Sequence, residues 1–294
     1  MKPDSSRQDA APTPLDPIER AHLKEPGDSS HVMYRYPADP EFEGLLQRFW
    51  IPVWSVPPGR EAPQRVLQYP VSLVVVSADY ARFYGVVQGL STTTLTGQGW
   101  AVGLMCAPAA GALLAGGPMS AYTDRYVDVA DVLGAAGERL TARIRAAMAP
   151  DPHAPDAHAE AMAAMGDALR PFLPVDDDGL LVNQVVAYVE GSREVVRVAQ
   201  VCERFGLSER ALQRLVQRRL GLTPKWLIQR RRLQEAAERL RGDPAGLGEV
   251  AALLGYADQA HFTLDFARVT EMTPGRFAAR HASGSERGGR TGDP

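Results

Sequence analysis

Arg210, Gln213, Arg214, Gln217 and Arg218 recur at helical spacing in one short stretch, with Ser208 and Glu209 just ahead of them. Arginine forks and glutamine amides are the groups that hydrogen-bond base edges and phosphates in a major groove. A second set follows in Asp258, Gln259, His261, Thr263, Leu264 and Arg268. Its chemistry is thinner, because Leu264 can only pack or touch a thymine methyl. His261 has two readings at this stage, a DNA contact or packing against the preceding turn. Each stretch also carries an apolar stripe at helical period: Leu212, Leu215, Val216 and Leu220 in the first, Phe262, Phe266 and Val269 in the second. One face is therefore built for a core and the opposite face is free for a partner.

The elements that must position these faces repeat. Val198 to Pro224 and Val250 to Pro274 align on their closing Thr-Pro with an offset of 50 residues, Leu212 on Phe262, Val216 on Phe266 and Arg218 on Arg268. In each copy a short apolar helix ends at a glycine, Gly206 or Gly255, as a tight turn between helices requires. Ser208 or Asp258 then stands where a side-chain oxygen caps the next helix. Lys225 to Arg241 reads as one long joining helix, stopped by Gly242-Asp243-Pro244. Helix–glycine–helix corners are common in ordinary helical domains. Two in register, each closed by Thr-Pro and joined by a basic helix, predict double-stranded DNA as the partner.

Charge distribution agrees. The chain of 294 residues has a net charge of −3, but residues 192 to 281 hold 16 Lys+Arg against 10 Asp+Glu. The remainder holds 16 against 25. The basic footprint thus falls on the C-terminal part. The run Arg230 to Arg232, taken alone, reads as a well-solvated helix face.

These motifs carry a resemblance. FGLSERALQRLVQRRLGLTPKWLIQRRRL and LGYADQAHFTLDFARVTEMTPGRF, with the Gly255 to Phe262 run the most specific, resemble the AraC/XylS-type DNA-binding domain. The resemblance implies a bacterial transcriptional regulator with seven helices in this domain, both second helices entering the major groove. RNA polymerase would be a further partner if the regulator is an activator. Two positions depart from the family pattern: Leu264 stands where arginine is common, and Glu271 where glycine is usual.

At this length two domains are expected. Residues 1–30 form a polar, Pro-rich tail and 31–150 an α+β domain for sensing or dimerisation. Residues 151–177 are a linker and connecting helix, 178–282 an all-α DNA-binding domain with two helix-turn-helix units, and 283–294 a second tail. Within the N-terminal domain, Tyr34 to Trp50 reads as a short helix leading into a strand. Val-rich runs between 65 and 105, broken by Pro70, Asp79, Gly89 and Gly97, suit an antiparallel sheet or small barrel. Helices are expected at Ala109 to Leu114, Ala135 to Met148, about 159 to 170 and Leu180 to Val189, with Asp151 to His158 a loop. The opening YRYPADPEFEGLLQRFW, the pair RVLQYPVSLVVV and CAPAAGALLAGGPMSAYTDRYVDVADVLG loosely resemble the sensor domain of one branch of the same family, so a small-molecule effector or a homodimer is a candidate partner. Trp50, Trp54, Tyr69, Phe83, Tyr84, Trp100 and Met105 would line a pocket or simply form core.

Other chemistry finds little support. No histidine lies between 32 and 152, which disfavours a metal-bearing barrel. No nucleophile elbow, phosphate loop or dinucleotide fingerprint occurs. Asp176 to Asp178 reads as a solvated helix start. Cys106 and Cys202 have no metal-ligand spacing and read as apolar residues of a reducing compartment. No catalytic, metal or cofactor site is expected, no membrane span is present, and a cytoplasmic protein that is not an enzyme follows. Two alternatives stay open: a DNA-repair methyl acceptor using the same module, disfavoured by having two isolated cysteines, and a nonspecific nucleoid protein.

Overall fold

The N-terminal strands form an open antiparallel sheet rather than a closed barrel. In this computed structural model, which describes residues 22–23, 28–242 and 246–285, the strands are β1 His31–Pro37, β2 Leu46–Ser55, β3 Ala62–Val66, β4 Leu73–Ser77, β5 Ala81–Tyr84, β6 Ser91–Leu95, β7 Gln98–Cys106 and β8 Tyr126–Asp128. Six of them pair in the order β1-β2-β7-β4-β5-β8, and β3 with β6 makes a separate ribbon. Every residue of β4, LVVVS, is buried, so both faces of the sheet centre are covered. Val74 and Val76 face the main core, while Leu73 and Val75 face a smaller cluster with Ala101 and Met105. The aromatic set divides the same way. Phe83 and Trp100 are core, whereas Trp50, Trp54, Tyr69 and Tyr84 pack around the smaller cluster.

Eleven helices follow among the described residues: α1 Ala110–Leu114, α2 Val129–Leu133, α3 Ala135–Met148, α4 Pro155–Leu169, α5 Asp177–Gly191, α6 Val198–Phe205, α7 Glu209–Leu220, α8 Pro224–Gly242, α9 Leu247–Leu253, α10 Gln259–Thr270 and α11 Pro274–Ser285. The α+β then all-α order is the one expected. None is long and apolar enough to cross a membrane.

Four local readings need correction. Tyr34 and Tyr36 lie in β1, not in a helix, because HVMYRYP pairs antiparallel along its whole length with β2. The Asp151 to His158 loop is shorter than expected, since Pro155 opens α4 at its first position, where proline lacks no needed N–H. His158 is consequently 1% exposed, with its ring bonded to Tyr36 at 2.7 Å and the Pro152 carbonyl at 2.8 Å. At the N-terminus Leu23 is buried against the second helix-turn-helix unit; the rest of the expected tail, 1–21 and 24–27, lies outside the described residues. So do Asp243, Pro244 and residues 286–294, while α11 extends three residues past the expected boundary at 282.

The expected domains meet in shared cores. One cluster runs from the sheet through Leu140, Ile144, Met165 and Val185 to Leu212, Val216, Leu220, Leu227 and Ile228. A second joins Leu233, Ala236, Ala237 and Leu240 to Phe262, Phe266 and Phe277, with Leu23 and Leu67. Helix α8 is therefore a common wall. Its first half closes the first unit and its second half closes the second.

Candidate nucleic-acid interface

Helix α7 presents the first candidate face. Ser208 caps it, its Oγ accepting the Ala211 N–H at 3.2 Å, and Gly206 and Gly221 flank it in the left-handed conformation. Leu212, Leu215, Val216 and Leu220 are buried, and Glu209, Arg210, Gln213, Arg214, Gln217 and Arg218 are all exposed. The buried apolar stripe fixes which face of the helix these polar residues leave from.

Helix α10 presents the second. Asp258 caps it through the His261 N–H at 2.7 Å, and Gly255 supplies the left-handed turn. Phe262 and Phe266 are fully buried. Gln259, His261, Leu264 and Arg268 are exposed and Thr263 is half-buried. Leu264, at 72% exposure, covers no core at all. Arg268 is held by Asp265 at 2.9 Å, and Asp265 also accepts from Gln229 of α8 at 2.7 Å. His261 meets the Tyr256 ring edge-on at 5.3 Å and still keeps an exposed side chain, so both of its readings survive. Ser208 and Asp258 are committed to capping, which leaves the remaining residues of each face to meet a partner.

The basic balance of this region does not all face outward. Arg219, Arg230 and Arg231 are 5%, 3% and 7% exposed. Reading Arg230 to Arg232 as a solvated run fails for the first two of its members. Arg230 donates to the Val87 and Gly89 carbonyls at 3.1 and 2.8 Å, and desolvation pulls its pKa down to about 10. Arg231 donates to Glu235 at 3.1 Å and to the Val195 carbonyl at 2.9 Å. Arg219 pairs with Asp176, whose pKa that contact lowers. Asp176 also caps α5 through the Gly179 N–H, so the acidic run is a helix start that additionally docks the end of α7. Sequence reasoning missed this role because Arg219 sits beside exposed Arg218, and only the apolar period of α7 marks it as inward-facing.

The N-terminal part grips the joining helix. Besides Arg230, Gln234 donates to the Leu67 carbonyl at 2.9 Å and Arg241 to the His22 carbonyl at 3.0 Å. Thr123 donates to the Gly221 carbonyl at 3.1 Å. The element that connects the two reading faces is thus braced from outside the DNA-binding region. Cys106 is wholly buried and its thiol pKa is pushed up to about 12, as an inert core residue; Cys202 is half-buried.

A family model described as a helix-turn-helix domain matches residues 201–280. The transcriptional activator RhaS of Salmonella arizonae is 34% identical over 99 residues, 33% of this chain and 36% of that protein. RhaS of Salmonella newport is 35% identical over 94 residues, 32% and 34% of the two chains. Residues 201–280 are an AraC-type helix-turn-helix domain. The chain thus spans about a third of the length of these curated relatives, and the AraC-type domain is the shared part. Outside it, a model described as a domain of unknown function, DUF6597, matches residues 34–128, the sheet-bearing part. Among solved structures, a probable AraC family transcriptional regulator from Rhodopseudomonas palustris is 25% identical, covers 34% of this chain and 95% of that one, and has a TM-score of 0.32. ToxT from Vibrio cholerae is 10% identical over 88% of this chain and 98% of that one, with a TM-score of 0.37.

The two copies differ where their second helices close: Glu271 ends α10 at φ +57, whereas Gly221 ends α7 at φ +72. A side chain in the left-handed region costs about 1–2 kcal/mol, partly offset by the extra unfolded-state freedom of glycine. Glu271→Gly is expected to stabilise the chain by about 0.5–1 kcal/mol. A urea midpoint that stays put or falls would show that Glu271 makes a compensating contact.

Proposed function

We propose that this chain is a sequence-specific DNA-binding transcriptional regulator in which α7 and α10 read neighbouring major grooves along one face of the duplex. The observation that carries this is the pair of capped helices, each buried on its apolar stripe and exposed at the polar positions, tied to the two ends of one continuous helix. The N-terminal part is proposed as the regulatory unit, because its carbonyls hold that helix. A nonspecific nucleoid protein would not need two faces of such different composition.

The test is a binding titration of the full chain on a site selected from random DNA. The affinity is expected to fall steeply with salt as exposed arginines release counterions. Competition by random DNA should be weak. Two helices on one face of the duplex engage grooves about one helical turn apart, roughly 10 base pairs. Inserting half a turn between the protected grooves should therefore abolish most of the added affinity of the second. A flat salt dependence, equal competition by random DNA, or indifference to the insertion would each overturn part of the reading.

A further inference from the structure

Helix α10 holds one arginine and one carboxylate, Arg268 and Asp265, and no lysine. The two are bonded to each other, Arg268 Nη2 donating to Asp265 Oδ1 at 2.9 Å. The second carboxylate oxygen accepts from Gln229 Nε2 of α8 at 2.7 Å and has His261 Nε2 at 3.7 Å. The Asp265 side chain is 15% exposed and the Arg268 side chain 68%. The acid is thus fixed by α8, and the arginine comes to it from the surface. An ordinary surface pair is worth little, because both side chains are free to turn to water. Here the carboxylate is not free to turn. Releasing Arg268 leaves a mostly buried charge without its cation, which costs more than parting an exposed pair.

Helix α7 is built otherwise. At the 50-residue offset Arg218 matches Arg268, but Leu215 stands where Asp265 stands. Arg210, Arg214 and Arg218 are exposed, and Glu209 is the one acid of that helix. One face therefore carries an excess of arginine and the other a pair that neutralises itself.

We propose that Asp265 stands in for a DNA phosphate: it keeps Arg268 neutralised in the complex as in the free chain, so α10 holds DNA through the bases it meets and adds no backbone ion pair of its own. This rests on the reading of α10 as a groove helix, and it makes Asp265 a positioning residue that acts through Arg268. A phosphate contact releases counterions and adds affinity for any duplex, whatever its sequence. With Arg268 committed to Asp265, the second unit gains little from random DNA, and retention of the chain there is left to α7.

The test compares the full chain with Asp265→Asn and with the double variant Asp265→Asn/Arg268→Gln, which keeps the net charge of the parent. Affinity for a selected site and for a random duplex is measured against salt concentration, and urea midpoints check folding. Asp265→Asn frees Arg268, while the amide oxygen can still accept from Gln229. It is expected to bind both duplexes about three- to tenfold more tightly and to steepen the salt dependence by about one ion. The double variant should return to within about twofold of the parent, with the parent's salt dependence. Should asparagine lower the urea midpoint, Asp265→Leu, the residue of the first copy, carries the same expectation. Weaker binding or an unchanged salt dependence on removal of the carboxylate, at an unchanged midpoint, would overturn the proposal; a purely structural role gives that result. A flatter salt dependence in the double variant than in the parent would show Arg268 on phosphate and overturn it too. The expected steepening on random duplex, in a chain that prefers no selected site, would uphold the pair and overturn the sequence-specific reading instead.

Discussion

Arg214→Ala is expected to weaken binding of the full chain to its selected DNA site by about 1–3 kcal/mol, the cost of losing the proposed bidentate base contact. Leu264→Ala, at the matching position of α10, costs clearly less, because leucine can neither fork onto guanine nor pair with phosphate. Both side chains are exposed on the surface of their helices. Neither substitution empties a core, so the comparison is free of folding effects. Leu264→Arg restores the charge common at this position in AraC-type domains. It should tighten binding and steepen the salt dependence by about one ion. Titration of the three variants against one operator decides the division of labour. A larger loss for Leu264→Ala than for Arg214→Ala, with unfolding midpoints unchanged, would reverse the roles given to the two reading helices.

Gly221→Ala is expected to destabilise the chain by about 2–5 kcal/mol, adding the left-handed backbone cost to that of overpacking. Gly221 has φ +72, and a β-carbon there would stand 2.3 Å from Thr123 Oγ1 and 2.7 Å from the Met119 carbonyl oxygen. The first neighbour is a side chain that can turn; the second is backbone and cannot. Thr123→Ala in the same chain should therefore recover only part of the loss, and by itself should cost about 1 kcal/mol for its hydrogen bond to the Gly221 carbonyl. Urea unfolding of the four chains measures this. A Gly221→Ala chain within about 0.5 kcal/mol of the parent would mean that the N-terminal part does not rest on the end of α7. Glu271, the equivalent position of the second copy, has a side chain with φ +57 and an exposed location. The same backbone conformation is required twice, yet only the copy pressed against the N-terminal part forbids a β-carbon on steric grounds.

The two capped helices and their exposed polar positions are legible in the amino-acid order because every determinant of them is local. The apolar stripe repeats within three or four residues, Ser208 and Asp258 cap three residues ahead, and the glycine turns lie between. The helix Ala135–Met148, and the Leu180 to Val189 part of Asp177–Gly191, are legible for the same reason. What tertiary structure alone decided is which polar groups turn inward. Arg230 finds its acceptors at Val87 and Gly89, more than 140 positions away in the chain. Those acceptors are backbone carbonyls, which every residue possesses and no side-chain pattern marks. The same holds for Gln234 on Leu67 and Arg241 on His22. A charge count registers that an arginine is present; whether it meets phosphate or a buried carbonyl depends on which surface the fold brings over it.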